Sequence, residues 1–168
     1  GVLALAGLKS GRPCLAVDLF EQALALDPGN SRLANASLNA QLTLAIRLFH
    51  RHRYEQAEPL FKALLERRPD SLVVHLHLAG IHRELGRLDQ SLQHWDQALR
   101  LAPDDPTLYL QKAAIHLRRG DTQEAMQALA EGFRRLGASA PAVSDPLELA
   151  RLAMMVLFRN RRYRQALE

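Results

Sequence analysis

Seven histidines, one cysteine and an adjacent carboxylate pair are the side chains that chemistry would recruit here, so their spacing comes first. A metal-binding helix sets two imidazoles three or four residues apart, on one face. His50 and His52, like His75 and His77, are two apart and turn to different faces of a helix. No His-x3-His pair and no His-Glu-x2-His occurs. Cys14 is the only cysteine, which excludes an internal disulfide or a cysteine cluster and predicts a small packed hydrophobe. Asp104 and Asp105 precede Pro106, a placement that suits capping of a helix start better than acid/base work. A Gly-rich phosphate loop, a nucleophile elbow and an activating context for Cys14 are all missing. The residues therefore predict a segment with no metal, no cofactor and no catalytic activity.

The elements that carry these residues are amphipathic helices. Between Leu72 and Asp105, Val74, Leu78, Ile81 and Leu85 recur at helical spacing, then Leu88, Leu92, Trp95, Ala98 and Leu99 do so again. Gly86 between them suits the left-handed backbone that ends a helix, and the short Leu-Gly-Arg-Leu turn predicts an antiparallel pair. Pro103 stops the second helix. The same frame recurs along the chain. A small residue opens each second helix as Ala16, Ala57, Ser91, Ala125 and Ala166, at spacings of 41, 34, 34 and 41. A large apolar residue follows four later as Phe20, Phe61, Trp95 and Leu129, and a breaker closes the unit as Pro28, Pro69, Pro103 and Gly137. A small side chain lets two helix backbones approach, and a bulky one a turn later fills the space between them.

This 34-residue period with its Leu, Ala, Phe and Pro positions resembles the tetratricopeptide repeat (TPR) family. The resemblance implies an all-α solenoid, a right-handed superhelix of antiparallel helix pairs in which each repeat touches its neighbours. Its boundaries would be a partial repeat at 1–30, a helical insertion at 31–37, repeats at 38–71, 72–105 and 106–139, a loop at 140–146 and a partial repeat at 147–168. The chain begins without methionine and resembles a segment of a longer array. His82 and His116 fall where the family places tyrosine, which implies fillers between helices.

Departures from the period carry local expectations. Ser31–Ser37 holds no helix breaker, so one long helix is expected from about Ser31 to His50. Pro59 lies inside a helix of about Tyr54–Arg67 and should bend rather than break it. Ser71 and Asp105 are expected N-caps, Lys112 is expected to lie along its helix where the family has leucine, and a final helix is expected from about Pro146 to Asn160.

The formal charge of +4 is almost wholly arginine, since Lys9, Lys62 and Lys112 are the only lysines. So modest an excess argues against nucleic acid as a partner unless one face concentrates it. No apolar run reaches the length of a membrane span, and the start lacks the basic flank of a signal peptide. Composition does not separate cytoplasm from bacterial periplasm.

In the family, set positions on the first helix of each repeat line a concave groove. Carried over residue by residue, they give Leu42, Ile46, Phe49 and His50; Val73, Leu76, Gly80, Arg83 and Glu84; Thr107, Leu110, Ala114, Leu117 and Arg118; and Glu148, Arg151, Met155, Phe158 and Arg159. The lysine and asparagine clamp by which some relatives hold a C-terminal carboxylate is absent, because Leu42, Ile46, Leu76 and Gly80 occupy its places. What the resemblance implies is a protein-protein interaction scaffold whose apolar groove takes a peptide or helix of a partner protein. The alternative is a bacterial cell-envelope or exopolysaccharide-export scaffold meeting an acidic partner or polymer through an arginine patch of Arg159, Arg161, Arg162 and Arg164, with Arg118, Arg119, Arg134 and Arg135 near in sequence.

Overall fold

Each helix starts and stops where local chemistry dictates. The computed structural model describes residues 13–137, together with Asp145, Leu147, Glu148, Arg151 and Met155. Within 13–137 there are seven helices: α1 Pro13–Leu26, α2 Ser31–His50, α3 Tyr54–Arg67, α4 Leu72–Glu84, α5 Leu88–Leu101, α6 Pro106–Arg119 and α7 Thr122–Arg135. The long helix expected from Ser31 is α2, and Asn30 caps it by accepting the Leu33 N–H at 3.1 Å. Asp105 caps α6 through the Thr107 N–H at 2.9 Å, with Pro106 in the first turn. The Ser71 carbonyl accepts the His75 N–H at 3.1 Å at the start of α4. Pro59 lies inside α3, which continues to Arg67. Gly86 and Gly120 end α4 and α6 with φ of 73° and 91°, the backbone a Cβ disfavours. The turn after α2 has no glycine, and His52 takes φ 57° there instead.

The in-phase positions are the core. Ala16, Ala57, Ser91 and Ala125 are each 0% exposed, and Phe20, Phe61, Trp95 and Leu129 beside them are buried. Burying such a large side chain contributes roughly 1.5–3 kcal/mol. Zero exposure at the small positions places them wholly inside the packing between helices.

The chain divides into two compact units, Gly1–Ile81 and His82–Glu168. In unit 1, α1 packs on α2 and α2 on α3. Its first cluster joins Ala16, Val17 and Phe20 of α1 to Ala40 of α2, with Leu33 and Leu44 against it. In unit 2, α5 packs on α6 and α6 on α7. There Leu92, Trp95 and Ala98 of α5, Leu108, Ala113 and Ile115 of α6, and Ala125, Leu129 and Phe133 of α7 are buried. The Cys14 side chain, the loop expected at 140–146 and most of the helix expected over 146–160 lie outside the described residues; Asp145 accepts the Leu147 N–H at 3.0 Å.

Candidate partner-binding face

The first helices of the pairs hold the residues that the sequence selects for binding, and each unit presents its own set. In unit 1, Leu42, Ile46 and Phe49 of α2 and Leu76 of α4 are half-buried, while His50 is exposed. Val73 is 44% exposed, a large fraction for valine on a packed helix. Gly80 is buried because Phe49 lies over it: a Cβ at position 80 would stand 3.2 Å from the Phe49 Cε2 and Cζ atoms. The glycine is thus the bed of the phenyl ring.

That ring belongs to an aromatic cluster that sequence spacing did not reveal. Phe49 meets Tyr54 of α3 edge-on at 5.7 Å and His77 of α4 at 5.1 Å. His77 stacks on Phe61 of α3 at 4.9 Å and 20°. Its Nδ1 lies 2.7 Å from the Val73 carbonyl oxygen, so this nitrogen carries the proton and donates. Burial pushes the His77 imidazole below the ordinary histidine value; the Val73 carbonyl opposes the shift and His50 adds to it. His75, two residues away, points elsewhere and donates from Nε2 to the Pro69 carbonyl at 2.9 Å.

In unit 2 the corresponding positions are mixed, polar at Arg83, Glu84, Thr107 and Arg118 and apolar at Leu110, Ala114 and Leu117. Arg83 pairs with Glu84 at 2.8 Å and donates to the Gln111 side chain at 3.4 Å, while Arg118 donates to the Arg83 carbonyl at 3.4 Å. Thr107 and Ala114 are exposed and Leu117 is half-buried. Leu110 is placed in the core at 7% exposure, its Cδ2 lying 3.7 Å from where a Cβ would stand on Gly132 of α7. A side chain missing from one helix makes room for a longer one from the other. Glu148, Arg151 and Met155 are exposed; Phe158, Arg159, Arg161, Arg162 and Arg164 lie outside the described residues.

Among the described residues of unit 2, several charges are paired within the unit. Arg119 pairs with Asp89 and Asp121, Arg134 with Glu131, and Arg135 with Glu131 and Asp104. Lys112 reaches Asp96 of α5 at 2.6 Å rather than lying idle along its own helix. His116 Nδ1 is 3.3 Å from Asp121. Desolvation raises the Asp121 carboxyl, but hydrogen bonds from His116 and Arg119 and their charges outweigh it and hold the group below its ordinary value. A cleft of about 330 Å³ opens beside these groups, lined by Leu99, Tyr109, Lys112, His116, Glu124, Gln127, Ala128 and Glu131. Tyr109, Lys112, His116 and Glu131 are already bound to protein partners there. Among the described residues no group of three or more His, Cys, Asp or Glu is arranged to hold a metal, and no helix is long and apolar enough to cross a membrane. His82 and His116 are buried between helices, and the His82 ring stacks on His94 at 5.3 Å.

Comparison with known proteins places these helix pairs. The chain is 25% identical over 134 residues to cellulose synthase 1 operon protein C of Komagataeibacter xylinus, a match covering 77% of this chain. It spans 10% of that protein's length. Among solved structures, a tetratricopeptide repeat protein from Parabacteroides merdae superposes with TM-score 0.65 at 14% identity, over 95% of this chain and 58% of that one. MamA AMB-1 superposes with TM-score 0.60 at 23% identity, covering 79% and 68% of the two chains. PcrH, solved in complex with the chaperone-binding region of PopD, gives 0.60 at 20% identity over 80% and 97%. These likenesses show an all-α repeat fold of the solenoid class. A family model described as tetratricopeptide repeat matches residues 42–106 and 76–141, the stretch in which Ala57, Ser91 and Ala125 keep their 34-residue phase, and the chain belongs to that family.

Proposed function

We propose that this chain is a non-enzymatic scaffold that binds a peptide or helix of a partner protein on the first helices of its repeats. The observation that carries the reading is the apolar set of unit 1 in which Val73 is exposed and Leu42, Ile46 and Leu76 are only half-buried. Apolar side chains grouped this way favour a partner, since fully covering each contributes roughly 1.5–3 kcal/mol. PcrH, which shares the fold, is solved with a segment of another protein bound, and that supports the same use here. Arg83 and Arg118, basic residues at positions the family uses for binding, suit acidic residues on a partner segment.

An array of amphipathic peptides graded in acidic content tests this. Wild type should capture apolar, acidic members, and the folded double variant Leu42→Glu with Leu76→Glu should lose affinity by about tenfold or more. Leu110→Glu is the wrong probe, because it would place a charge in the core. Unchanged capture by the double variant removes the face from consideration.

The second reading, contact with an acidic polymer in cell-envelope or exopolysaccharide assembly, is supported by the likeness to the cellulose synthase operon protein. It rests on Arg159, Arg161, Arg162 and Arg164, since Arg119, Arg134 and Arg135 are engaged with carboxylates. Binding to an acidic polysaccharide that collapses between about 50 and about 200 mM salt, and with those four arginines changed to glutamine, would favour it. Salt-insensitive peptide capture favours the apolar face.

A further inference from the structure

Three helices of unit 1 meet at one side chain. His77 of α4 is wedged between Phe61 of α3, 4.9 Å away and stacked, and Phe49 of α2, 5.1 Å away and edge-on. Phe49 is itself pressed onto the bare backbone at Gly80, so its ring is held from two sides by α4. We propose that protonation of His77 releases this wedge, freeing the Phe49 ring and remodelling the apolar face, so that partner docking there is proton-sensitive. The functional meaning rests on the binding reading above; the release itself does not.

The neutral imidazole fits the site: its Nδ1–H is committed to the Val73 carbonyl at 2.7 Å, one face stacks on Phe61 and Phe49 meets it at a steep angle. A second proton, on Nε2, puts a full charge in a half-buried aromatic slot with no carboxylate bonded to it. The titratable groups gathered at the cluster are His50 on α2, His52 in the following turn and Tyr54 on α3, with His52 Nδ1 and the Tyr54 hydroxyl 2.7 Å apart. Of these, His50 acts on the His77 charge, and as a second cation it would repel it. The stacked Phe61 face and the Val73 carbonyl favour the cation. Burial outweighs them, since the His77 value is lowered on balance. A charged ring gains hydration by leaving the slot, and Phe49 loses its neighbour when it does.

Histidine and phenylalanine ring signals of the whole 168-residue chain, followed by NMR from about pH 8 to about pH 5, test the release without any partner. His77 should titrate below 6.5, and the Phe49 ring signals should move with the same midpoint while fluorescence of the neutral dye Nile red rises. In His50→Gln, whose altered side chain is exposed, the His77 midpoint should rise. In His77→Phe the part of the Phe49 change that follows the His77 midpoint should be lost, leaving only what His50, 5.6 Å from the Phe49 ring, contributes. Phe49 signals that stay fixed while His77 titrates, or a His77 midpoint unmoved by His50→Gln, would overturn the proposal. Because no peptide is present, that failure leaves the binding face standing, and failed peptide capture leaves the wedge standing.

Discussion

His77 binds its proton less readily in the folded chain than in the unfolded one, because burial, aided by His50, outweighs the Val73 carbonyl. The sign of the stability effect follows directly. Between the lowered folded value and 6.5 the unfolded state holds more protons, so stability rises with pH across that window. The contribution is fully present above about pH 6.5 and is lost as pH falls through the folded value. Thermal melts from pH 7.5 to 5.5, roughly the span in which histidine titrates, should therefore show a steeper acid-side fall in Tm for wild type than for His77→Phe. Equal slopes would mean that burial does not perturb this ring. Sequence spacing correctly separated His75 from His77, since two residues apart means different faces, yet gave no hint of the slot. Phe61 and Phe49 come to His77 from 16 and 28 residues away, and no local pattern encodes their meeting.

Helix ends are the element-scale features that the chain states most openly. Asp105 with Pro106 was readable because capping needs only a short polar side chain next to the first free N–H groups, and the structure shows Asn30 doing the same for α2. Asp105→Ala should lower stability by about 1 kcal/mol, measured by urea unfolding at neutral pH; a change near zero would show that the Thr107 N–H finds another acceptor. The turn after α2 was less legible, because His52 takes the left-handed conformation that sequence reading assigns to glycine. Lys112 shows the same limit. It stands where the family usually has leucine, and its partner Asp96 lies on the preceding helix, 16 residues back.

At the scale of the molecule, repeats stabilise one another through neighbours rather than around one shared centre. Phe61, with no exposure in unit 1, offers a way to see this. Phe61→Ala should cost about 3–5 kcal/mol locally, and native-state hydrogen exchange should show α2 and α3 losing protection while α6 and α7 retain theirs. Uniform loss across all helices would indicate a single cooperative unit. Charge also takes its meaning at this scale. Residues 13–81 hold seven basic and seven acidic groups and residues 82–137 hold eight of each, so the excess of +4 lies in the flanking stretches that include Arg159, Arg161, Arg162 and Arg164. Period, helix class, caps and the buried Ala/Phe positions follow from the sequence by itself, because backbone hydrogen bonding and the need to hide an apolar stripe act within one or two turns. Which first-helix residues stay open, with Leu76 half-exposed but Leu110 covered beside Gly132, was decided only by tertiary packing, because exposure depends on what the neighbouring helix lacks as much as on the residue itself.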